Sequence, residues 1–443
     1  MRRRRVITDS YIFKQILIPL LMFIFSFLYY DVFLFKMLYK FHVTYMNLPL
    51  IKPGPIIKGE GDVNILKVYD INISFTPRRT NMIYWFDVIN DTFDYNISHP
   101  QGTHFFPPHF GEKGMINFWN NFTSKFILYK NMYVNNNGAF MNETNVIEPQ
   151  YRTGPDWLYQ FKEGKLATEC DTAVVFGHYY CKLSFGHFTH DYLFPLMMVP
   201  DEIMKDAKII VPWHVNYIHQ YLKLLGYYDK MLELGEEDWI FCKKLLVSAS
   251  PRPHNVHFGM GVQKLNTKFR EILGIDKIIP NRYVFINRYN SRVIYNLKKL
   301  FQMTVAKYPE FPWEYIRDRD GTLAEYGKFY ATIKVLIVPN GSNLFKCIYM
   351  AKDTLILIIN NEMWDLSNYG MMPAAGVRLV VFFNKNYGRL SDGATIDPAK
   401  FMAAMDVTAF YAKHGKFPQP IENVSFIDYK FEHSPRGKVV LVF

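Results

Sequence analysis

Short apolar runs of strand length alternate with segments of helical periodicity from Ala173 onward. An apolar run predicts a buried strand, whereas apolar residues three and four positions apart predict a helix with one buried face. The alternation indicates parallel sheets covered by helices, with ligands bound at the carboxyl ends of the strands. Strands are predicted over residues 173–176, 208–211, 245–249, 283–287, 313–316, 334–338, 354–359 and 378–383, and helices over 214–225, 291–308, 323–332, 343–351 and 364–375.

This pattern predicts an α/β protein in which two Rossmann-like domains face each other across a cleft. We place the first domain at residues 161–280 and the second, with a C-terminal extension, at 281–443. Between residues 62 and 160, short β-rich runs alternate with Asn, Gly and Pro, which predicts irregular β-structure packed on the main body. Residues 36–61 carry Pro and Gly at positions that break regular structure, and we interpret them as a stem.

The N-terminus has the composition of a membrane anchor. Arg2 to Arg5 form a basic cluster, and residues 11–35 are apolar and aromatic with few polar interruptions. About 20 apolar residues in a helix cross a bilayer, and basic flanks favour the cytosolic side. We therefore predict a cytosolic tail at 1–10, an uncleaved transmembrane helix at 11–35 and a lumenal remainder, as in a single-pass type II protein of the Golgi or endoplasmic reticulum. A buried helix is the alternative interpretation.

Acceptor triplets for N-glycosylation, Asn-x-Ser/Thr, agree with a lumenal orientation. A further triplet begins at Asn340, but its place in a predicted interdomain turn argues against modification. Chance occurrence in an Asn-rich sequence is the alternative explanation. The predicted glycosylation sites are Asn72, Asn90, Asn96, Asn121, Asn142 and Asn423.

The charge and the cysteine content limit the classes of ligand that the sequence is expected to bind. The net charge is +11, but Lys and Arg are interleaved with acids along most of the chain, which is typical of a solvated surface and argues against nucleic acid as the partner. A diffuse basic surplus is also compatible with an anionic ligand such as a nucleotide. The cysteines lack the CxxC spacing of zinc sites, and both disulfides and buried free thiols remain open for Cys170, Cys181, Cys242 and Cys347.

The first candidate for chemistry is the segment from Gly186 to Tyr192, at a loop-to-helix transition. It places His187 and Asp191 one helical turn apart, so both side chains can point to the same side. Either residue could act as a general base that deprotonates an attacking hydroxyl. The pair of His187 and His190 could instead bind a metal, and an Asp that caps a helix beside a core His is the purely structural alternative.

The second candidate runs from Asn287 to Asn296, where a predicted strand ends and a predicted helix begins. Arg288 and Arg292 stand where a Rossmann-like domain would hold a nucleotide diphosphate. Guanidinium groups keep their charge at any relevant pH and bind phosphate oxygens bidentately. The structural alternative is one surface Arg and one paired Arg.

The third candidate is the turn formed by Asn340, Gly341, Ser342 and Asn343, again between a strand and a helix. A glycine lets the backbone approach a ligand, and the free N–H groups that open a helix donate hydrogen bonds to phosphate or ribose hydroxyl oxygens. Residues 318–320, Asp-Arg-Asp, mimic a metal-binding DxD, but their position favours a helix cap, so we assign no metal and no resident cofactor.

In this order and at this spacing, the three segments resemble glycosyltransferase family 61, which includes plant xylosyl- and arabinosyltransferases and the animal EGF-domain-specific O-GlcNAc transferase. The resemblance covers roughly residues 173–385. The third family motif, approximately H-G-A-G-L-T-N, falls on residues 340–346, where only Gly341 and Leu344 match. The residues that match the family's H-F-x-x-D motif, its arginine signature and its Glu before the last core strand are His187, Phe188, Asp191, Arg288, Arg292, Asn296 and Glu325.

The resemblance implies a GT-B-like fold and an inverting transfer of a hexosyl or pentosyl group from a nucleotide sugar, commonly a UDP-sugar, to a hydroxyl of a protein or glycan acceptor. Asp191 or His187 would take the proton of the acceptor. Arg288, Arg292, Asn296, Glu325 and residues 340–343 would bind the nucleotide sugar, which is a co-substrate. Because the third motif departs from the family pattern at Asn340 and Lys346, a catalytically inactive, membrane-tethered glycan-binding protein of the same fold remains the alternative.

Overall fold

The computed structural model describes residues 47–59, 64–72, 83–85, 123–148, 162–177, 179–212, 215–248, 260–317, 322–360, 371–383 and 393–418, with isolated residues between 22 and 37. The predicted cytosolic tail and most of the predicted transmembrane helix at 11–35 therefore lie outside the described residues. Within the described residues, no helix combines the length and the apolar character that crossing a membrane requires.

The fold is mixed α/β and contains two sheets with parallel strands. The strands are β1 Leu50–Ile51, β2 Ile56–Lys58, β3 Ile65–Asn72, β4 Ile83–Trp85, β5 Thr123–Asn135, β6 Phe140–Met141, β7 Val146–Glu148, β8 Gly164–Val175, β9 Lys208–Pro212, β10 Met231–Leu234, β11 Asp238–Ser248, β12 Arg282–Ile286, β13 Trp313–Ile316, β14 Ile333–Pro339, β15 Leu355–Asn360 and β16 Arg378–Phe383. The helices are α1 Phe185–His187, α2 Phe194–Leu196, α3 Asp201–Met204, α4 Asn216–Leu224, α5 Met260–Leu273, α6 Leu297–Lys307, α7 Leu323–Ala331 and α8 Pro398–His414.

The second sheet closely matches the predicted parallel sheet of alternating strands and helices. Its order is β13-β12-β14-β15-β16-β4, and every pair in it is parallel. All six residues of β15 and all but one of β14 are buried, as expected for strands covered on both faces. All five strands predicted between residues 283 and 383 are confirmed, with bounds that differ by at most one residue.

The first sheet differs from a Rossmann-like sheet. Its parallel part, β10-β9-β8-β11, continues through antiparallel pairing of β11 with β5 and of β5 with β3. The β-rich stretch was predicted to be irregular structure on the main body, whereas β3 and β5 are integral strands of this sheet. β4, from the same stretch, joins the second sheet beside β16. The pairing of β5 with β11 joins segments about a hundred residues apart, so local periodicity carries no signal for it.

Two predicted helices have different bounds in the structure. The helix predicted over 291–308 begins at Leu297, because residues 287–296 form a loop held by side chains. The helix predicted over 343–351 is a 3-10 helix, Ser342–Tyr349. Of the helix predicted over 364–375, residues 371–374 are helical and residues 364–370 lie outside the described part.

Two helices in the second half of the protein, α7 and α8, are capped at their termini. Thr322 and Glu325 form a reciprocal capping box at the start of α7. Asp397 accepts hydrogen bonds from the backbone N–H groups of residues 399 and 400 at the start of α8, and Gly415 closes that helix in a left-handed conformation (φ 67°).

Aromatic side chains join the two halves of the protein. Tyr221 of α4 packs against Phe269 of α5, which packs against Tyr349 of the 3-10 helix. The hydroxyl of Tyr349 donates to that of Tyr221 over 2.7 Å. One continuous apolar cluster contains residues of both sheets, so the strand ends that face each other are held by a packed core.

Candidate functional site

Strand order places two of the predicted motifs side by side. The chain moves outward from β12 to β13 and then returns to β14 on the other side of β12, so the direction of winding reverses between β12 and β14. Loops at such a switch point separate and leave a crevice at the carboxyl ends of the strands. Residues 287–296 follow β12, and residues 340–342 follow β14.

Asn287 closes the loop after β12. Its side-chain oxygen accepts hydrogen bonds from the backbone N–H of Arg288 (2.9 Å) and of Ile294 (3.0 Å), and its amide donates to the carbonyl of Ile294 (2.7 Å). Inside this closed loop Arg292 has a positive φ of 55°, and Arg288 Nε donates to the carbonyl of Ser291 over 2.9 Å. The loop therefore presents two guanidinium groups in defined positions.

Both guanidinium groups border Gly341. A β-carbon built on Gly341 would collide with Nη1 of Arg288 and would lie 3.2 Å from Cζ of Arg292. Gly341 also has φ 144° and ψ −165°, a conformation that is nearly exclusive to glycine. The second and third motifs thus form one unit, in which a bare backbone lies against two cationic side chains.

The turn after β14 also contacts the first half of the protein. Ser342 begins the 3-10 helix, and its Oγ lies 3.5 Å from Oγ of Ser184, next to α1. A β-carbon built on Gly186 would lie 3.1 Å from Oγ of Ser342 and 3.2 Å from the ring of Phe345. The first motif therefore meets the third at close range, which brings all three predicted motifs to one place.

His187 and Asp191 lie on a distorted helix. The segment passes from α1 into a π-helical turn, Phe188–Leu193, and then into α2. Such π-helical turns occur often at functional sites. Nδ1 of His187 lies 2.9 Å from Oδ2 of Asp191, and the His187 side chain is 30% exposed against 2% for Asp191.

The tautomer of His187 follows from this contact. When Asp191 is ionised, its carboxylate can only accept hydrogen bonds, so Nδ1 of His187 is then the donor, and Nε2 carries the lone pair of the neutral ring. His187 is the partly exposed member of the pair and Asp191 the buried one. The arrangement suits His187 as a proton acceptor and Asp191 as the group that orients it.

Aromatic contacts fix the position of this segment. The ring of Tyr180 stacks on that of His187, with centroids 5.0 Å apart. The hydroxyl of Tyr192 donates to the carbonyl of Ile210 over 2.6 Å, which ties the π-helical turn to β9. Phe188 is fully buried and packs against Tyr192. The family-motif phenylalanine is thus a packing residue that holds its neighbour His187 in place.

His190 is a component of the site that the sequence suggested only as half of a metal-binding pair. Its Nδ1 lies 2.9 Å from Oδ1 of Asp191, so each carboxylate oxygen faces one imidazole. Its ring lies 5.8 Å from that of Phe345. The local signal for this role is the position of His190 directly before Asp191 in the H-x-x-H-D sequence. Within the described ranges, no group of three or more His, Cys, Asp or Glu is placed to hold a metal ion, and residues 318–320 lie outside them.

Two other predicted nucleotide-binding residues have contacts elsewhere. The Asn296 side chain donates to the carbonyl of Ile396 (2.8 Å) and accepts from its N–H (2.9 Å), so it fastens α6 to the chain before α8. Glu325 is exposed and accepts from the backbone N–H of Thr322 over 2.8 Å, which lowers the pKa of its carboxyl. Asn296 therefore links two segments of the chain, and Glu325 caps a helix.

The remaining residues of the third motif are held by the fold. The side chain of Asn340 is fully buried, and its backbone N–H donates to the carbonyl of Ile359 over 3.0 Å. A glycan on Asn340 is incompatible with this burial. Asn343 is half-buried in the first turn of the 3-10 helix. Nζ of Lys346 lies 4.7 Å from the ring centre of Tyr326 and 5.1 Å from that of Tyr330, as in a cation–π contact.

Two of the predicted glycosylation sites are described. Asn72 ends β3, and Asn142 lies in the turn between β6 and β7. Oδ1 of Asn142 accepts hydrogen bonds from the backbone N–H of Thr144 (3.0 Å) and of Asn145 (2.8 Å). The sites that lie outside the described residues are Asn90, Asn96, Asn121 and Asn423.

Comparison with known proteins gives a family match whose range includes the three motifs. Residues 185–357 match the family described as Glycosyltransferase 61, and the match runs from α1 into β15. It therefore contains the His187–Asp191 pair, the loop after β12 and the turn after β14. A search of curated proteins finds no match.

Proposed function

From the match of residues 185–357 we propose that the chain is a member of glycosyltransferase family 61 and that it transfers a sugar from a nucleotide sugar to a hydroxyl of a protein or glycan acceptor. The observation that carries the proposal is the contact of Arg288 and Arg292 with Gly341 at the switch point of the second sheet. Such a position suits the diphosphate of a nucleotide sugar, most simply a UDP-sugar. The two halves of the protein then face the donor in a GT-B-like arrangement.

The arginine pair would stabilise the leaving group. When the bond between the anomeric carbon and the diphosphate breaks, negative charge develops on the departing phosphate oxygen. Arg288 and Arg292 supply fixed positive charge there, and the N–H groups that open the 3-10 helix at Ser342 add favourable dipoles. In this proposal no metal ion is needed, because the guanidinium groups supply the countercharge.

His187 would activate the acceptor. Its Nε2 takes the proton of the acceptor hydroxyl while the oxygen attacks the anomeric carbon from the face opposite the diphosphate, which inverts the configuration. Asp191 holds the ring through Nδ1 and stabilises the imidazolium that forms, because its Oδ2 lies 2.9 Å away. Asp191 is 2% exposed, so we assign it to positioning and give His187 the contact with the acceptor.

The proposed cellular setting rests on the sequence. The basic cluster at Arg2–Arg5, the apolar stretch at 11–35 and the acceptor triplets after it are typical of a type II membrane protein of the Golgi or endoplasmic reticulum. Nucleotide sugars and protein or glycan acceptors meet in those compartments. Protease protection of residues after the apolar stretch in sealed microsomes, lost when detergent is added, tests this topology.

Binding of UDP to the purified full-length chain in detergent tests the donor site. Calorimetry should detect UDP binding, and Arg288→Ala should weaken it at least about tenfold, because a charge-assisted phosphate contact is lost. Lys299→Ala removes one charge from an exposed position of α6 and should leave the affinity unchanged. Equal UDP affinity in the Arg288→Ala and native chains would remove Arg288 from the donor site.

A turnover assay distinguishes a transferase from a protein that only binds glycans. The native chain is incubated with a panel of nucleotide sugars and acceptor glycans or glycoproteins, and release of free nucleotide is measured. Acceptor-dependent release that is lost in Arg288→Ala supports the transferase. Binding of glycans without any affinity for nucleotide would contradict it and favour a glycan-binding protein.

A further inference from the structure

Two cysteines face each other in the first sheet. Cys170 of β8 and Cys242 of β11 are partners in the register of these parallel strands, and their Sγ atoms lie 3.3 Å apart. Cys170 is half-buried, whereas Cys242 is fully buried. Both are thiols in the structure.

We propose that Cys170 and Cys242 form a disulfide bond when the chain meets a disulfide oxidant such as glutathione disulfide. Hydrogen-bonded strands run about 4.8 Å apart, and the Cα atoms of a disulfide are usually 4.4–6.8 Å apart, so the sheet already supplies the required backbone spacing. Side-chain rotation can bring the sulfur atoms from contact to a bond length of about 2.05 Å while the ladder is kept.

The other two cysteines are placed differently. Sγ of Cys181 lies 3.7 Å from the carbonyl oxygen of His187, and Cys347 is fully buried in the 3-10 helix, where burial raises the pKa of its thiol. All four cysteines are described, and Cys170 with Cys242 is the pair that shares a strand register. We therefore expect Cys181 and Cys347 to remain thiols.

Exposure determines the order of the two exchange steps. The Cys170 thiolate attacks one sulfur of glutathione disulfide, which forms a mixed disulfide and releases one glutathione thiolate. Cys242 then gives up its proton, and its sulfur attacks Sγ of Cys170 and releases the second glutathione. The two protein thiols lose two electrons in total, and the oxidant gains them.

The local chemistry agrees with this order. The hydrogen bond between the two thiols lowers the pKa of Cys170, and the same hydrogen bond together with burial raises the pKa of Cys242. Lys208 favours the Cys170 thiolate and Asp171 opposes it, while Asp171 itself is paired with Lys243 over 2.7 Å. Cys170 is accordingly the more accessible nucleophile and Cys242 the buried resolving thiol.

The covalent ring closed by this bond contains part of the proposed active site. It spans residues 170–242, which include α1, the π-helical turn, β9 and α4. His187 and Asp191 therefore lie inside the ring. Linking β8 to β11 should restrict the unfolded chain and so raise the melting temperature. The inference does not depend on the proposed transfer reaction.

Peptide mapping tests the linkage. The full-length chain is incubated with glutathione disulfide, alkylated with N-ethylmaleimide in denaturant and digested with trypsin and Asp-N, which separates Cys170 from Cys181 by cutting before Asp171. We expect a crosslinked peptide pair that contains Cys170 and Cys242, with Cys181 and Cys347 alkylated. Alkylation of all four cysteines, or a crosslink that involves Cys181 or Cys347, would overturn the proposal.

Two variants supply matched controls. Cys181→Ser should keep the crosslink and a melting temperature that is several degrees higher in the oxidised than in the dithiothreitol-reduced protein. Cys170→Ser should show neither the crosslink nor the difference. If oxidation raised the melting temperature of Cys170→Ser as much as that of the native protein, the assignment of the bond to Cys170 would be contradicted. If a variant fails to fold, the peptide map of the native chain still decides whether the bond forms.

Discussion

The guanidinium group of Arg288 occupies the space that a side chain at position 341 would need, so Arg288 and Gly341 are complementary in shape. The two residues follow neighbouring strands, β12 and β14, and they meet at the switch point of the sheet. A glycine at position 341 therefore has two roles: it adopts φ 144°, and it leaves room for a cation beside the backbone.

Gly341→Ala should weaken nucleotide binding and stability together. The new methyl group would displace Arg288, and the backbone conformation would cost about 1–3 kcal/mol of unfolding free energy. A displacement of about 1 Å in a binding group can cost up to about a hundredfold in activity, so we expect the Kd for UDP to rise at least tenfold. Calorimetry and denaturant unfolding measure the two effects.

Gly415→Ala is the matched control for strain alone. Gly415 also has a positive φ (67°), but a β-carbon there would meet no atom within 4 Å. It should lower the unfolding free energy by about 1 kcal/mol and leave UDP binding unchanged. If Gly341→Ala bound UDP as tightly as Gly415→Ala, the steric argument for Arg288 would fail.

His187→Asn and Asp191→Asn should each lower kcat, His187→Asn by about 10²–10⁴-fold. Because the two residues act as one unit, the double variant should be little slower than the slower single variant. The KM for the donor should change little, since neither residue is assigned to the diphosphate. Initial rates at saturating donor provide the measurement.

His219→Asn serves as a control for loss of a histidine–carboxylate pair elsewhere. Nε2 of His219 lies 3.2 Å from Oε1 of Glu233, in the same half of the protein. This variant should keep the native kcat. Additive losses in the double variant of His187 and Asp191 would show that the two residues act separately.

Asn296→Ala should destabilise the protein without affecting the donor site. It removes both hydrogen bonds to the backbone of Ile396 and leaves a donor and an acceptor of that residue unsatisfied. The expected cost is about 1–3 kcal/mol, measured by denaturant unfolding. A weaker affinity for UDP at unchanged stability would instead support the nucleotide-binding role that the sequence suggested.

Glu325→Ala should lower the melting temperature in a pH-dependent manner. Hydrogen bonds from Thr322 lower the pKa of the Glu325 carboxyl in the folded protein below its ordinary value of 4.5. A lowered folded pKa means that the carboxylate contributes stability above pH 4.5 and that this contribution is lost as the pH falls through the folded pKa. The difference from native protein should therefore be present at neutral pH and shrink in acid.

Glu325→Gln distinguishes titration from other effects of the substitution. Glutamine has no titratable group, so the difference in melting temperature between the glutamine and alanine variants should stay constant with pH. Donor affinity should be native in both variants, because Glu325 is exposed at a helix start. Loss of UDP binding in both variants would show that Glu325 contributes to the donor site.

Much of the second sheet was predictable because its strands are continuous apolar runs. β14, β15 and β16 lie within one residue of their predicted bounds, since burial on both faces keeps most of their positions apolar. Residues 291–296 of the loop after β12 were predicted as helix because Ile294 and Leu297 continue the apolar spacing of α6. The hydrogen bonds of Asn287 hold that turn outside the helix.

The site was predictable as three motifs but not as one arrangement. The helical spacing of His187 and Asp191 correctly placed their side chains together, and the arginines were expected to follow a strand. Nothing in the local pattern indicated that Asn296 bonds to Ile396, a hundred residues away. Such contacts depend on the tertiary fold, which brings together segments that are far apart in the sequence.

The sequence by itself determined the α/β class, most strands and the identity of the chemical groups, because each follows from local periodicity and side-chain chemistry. Tertiary structure alone decided that Arg288 and Arg292 lie against Gly341, that Ser342 meets the helix of His187, and that Cys170 lies opposite Cys242. The physical reason is that strand order and register are set by packing the whole core, and they bring together residues that no local pattern connects.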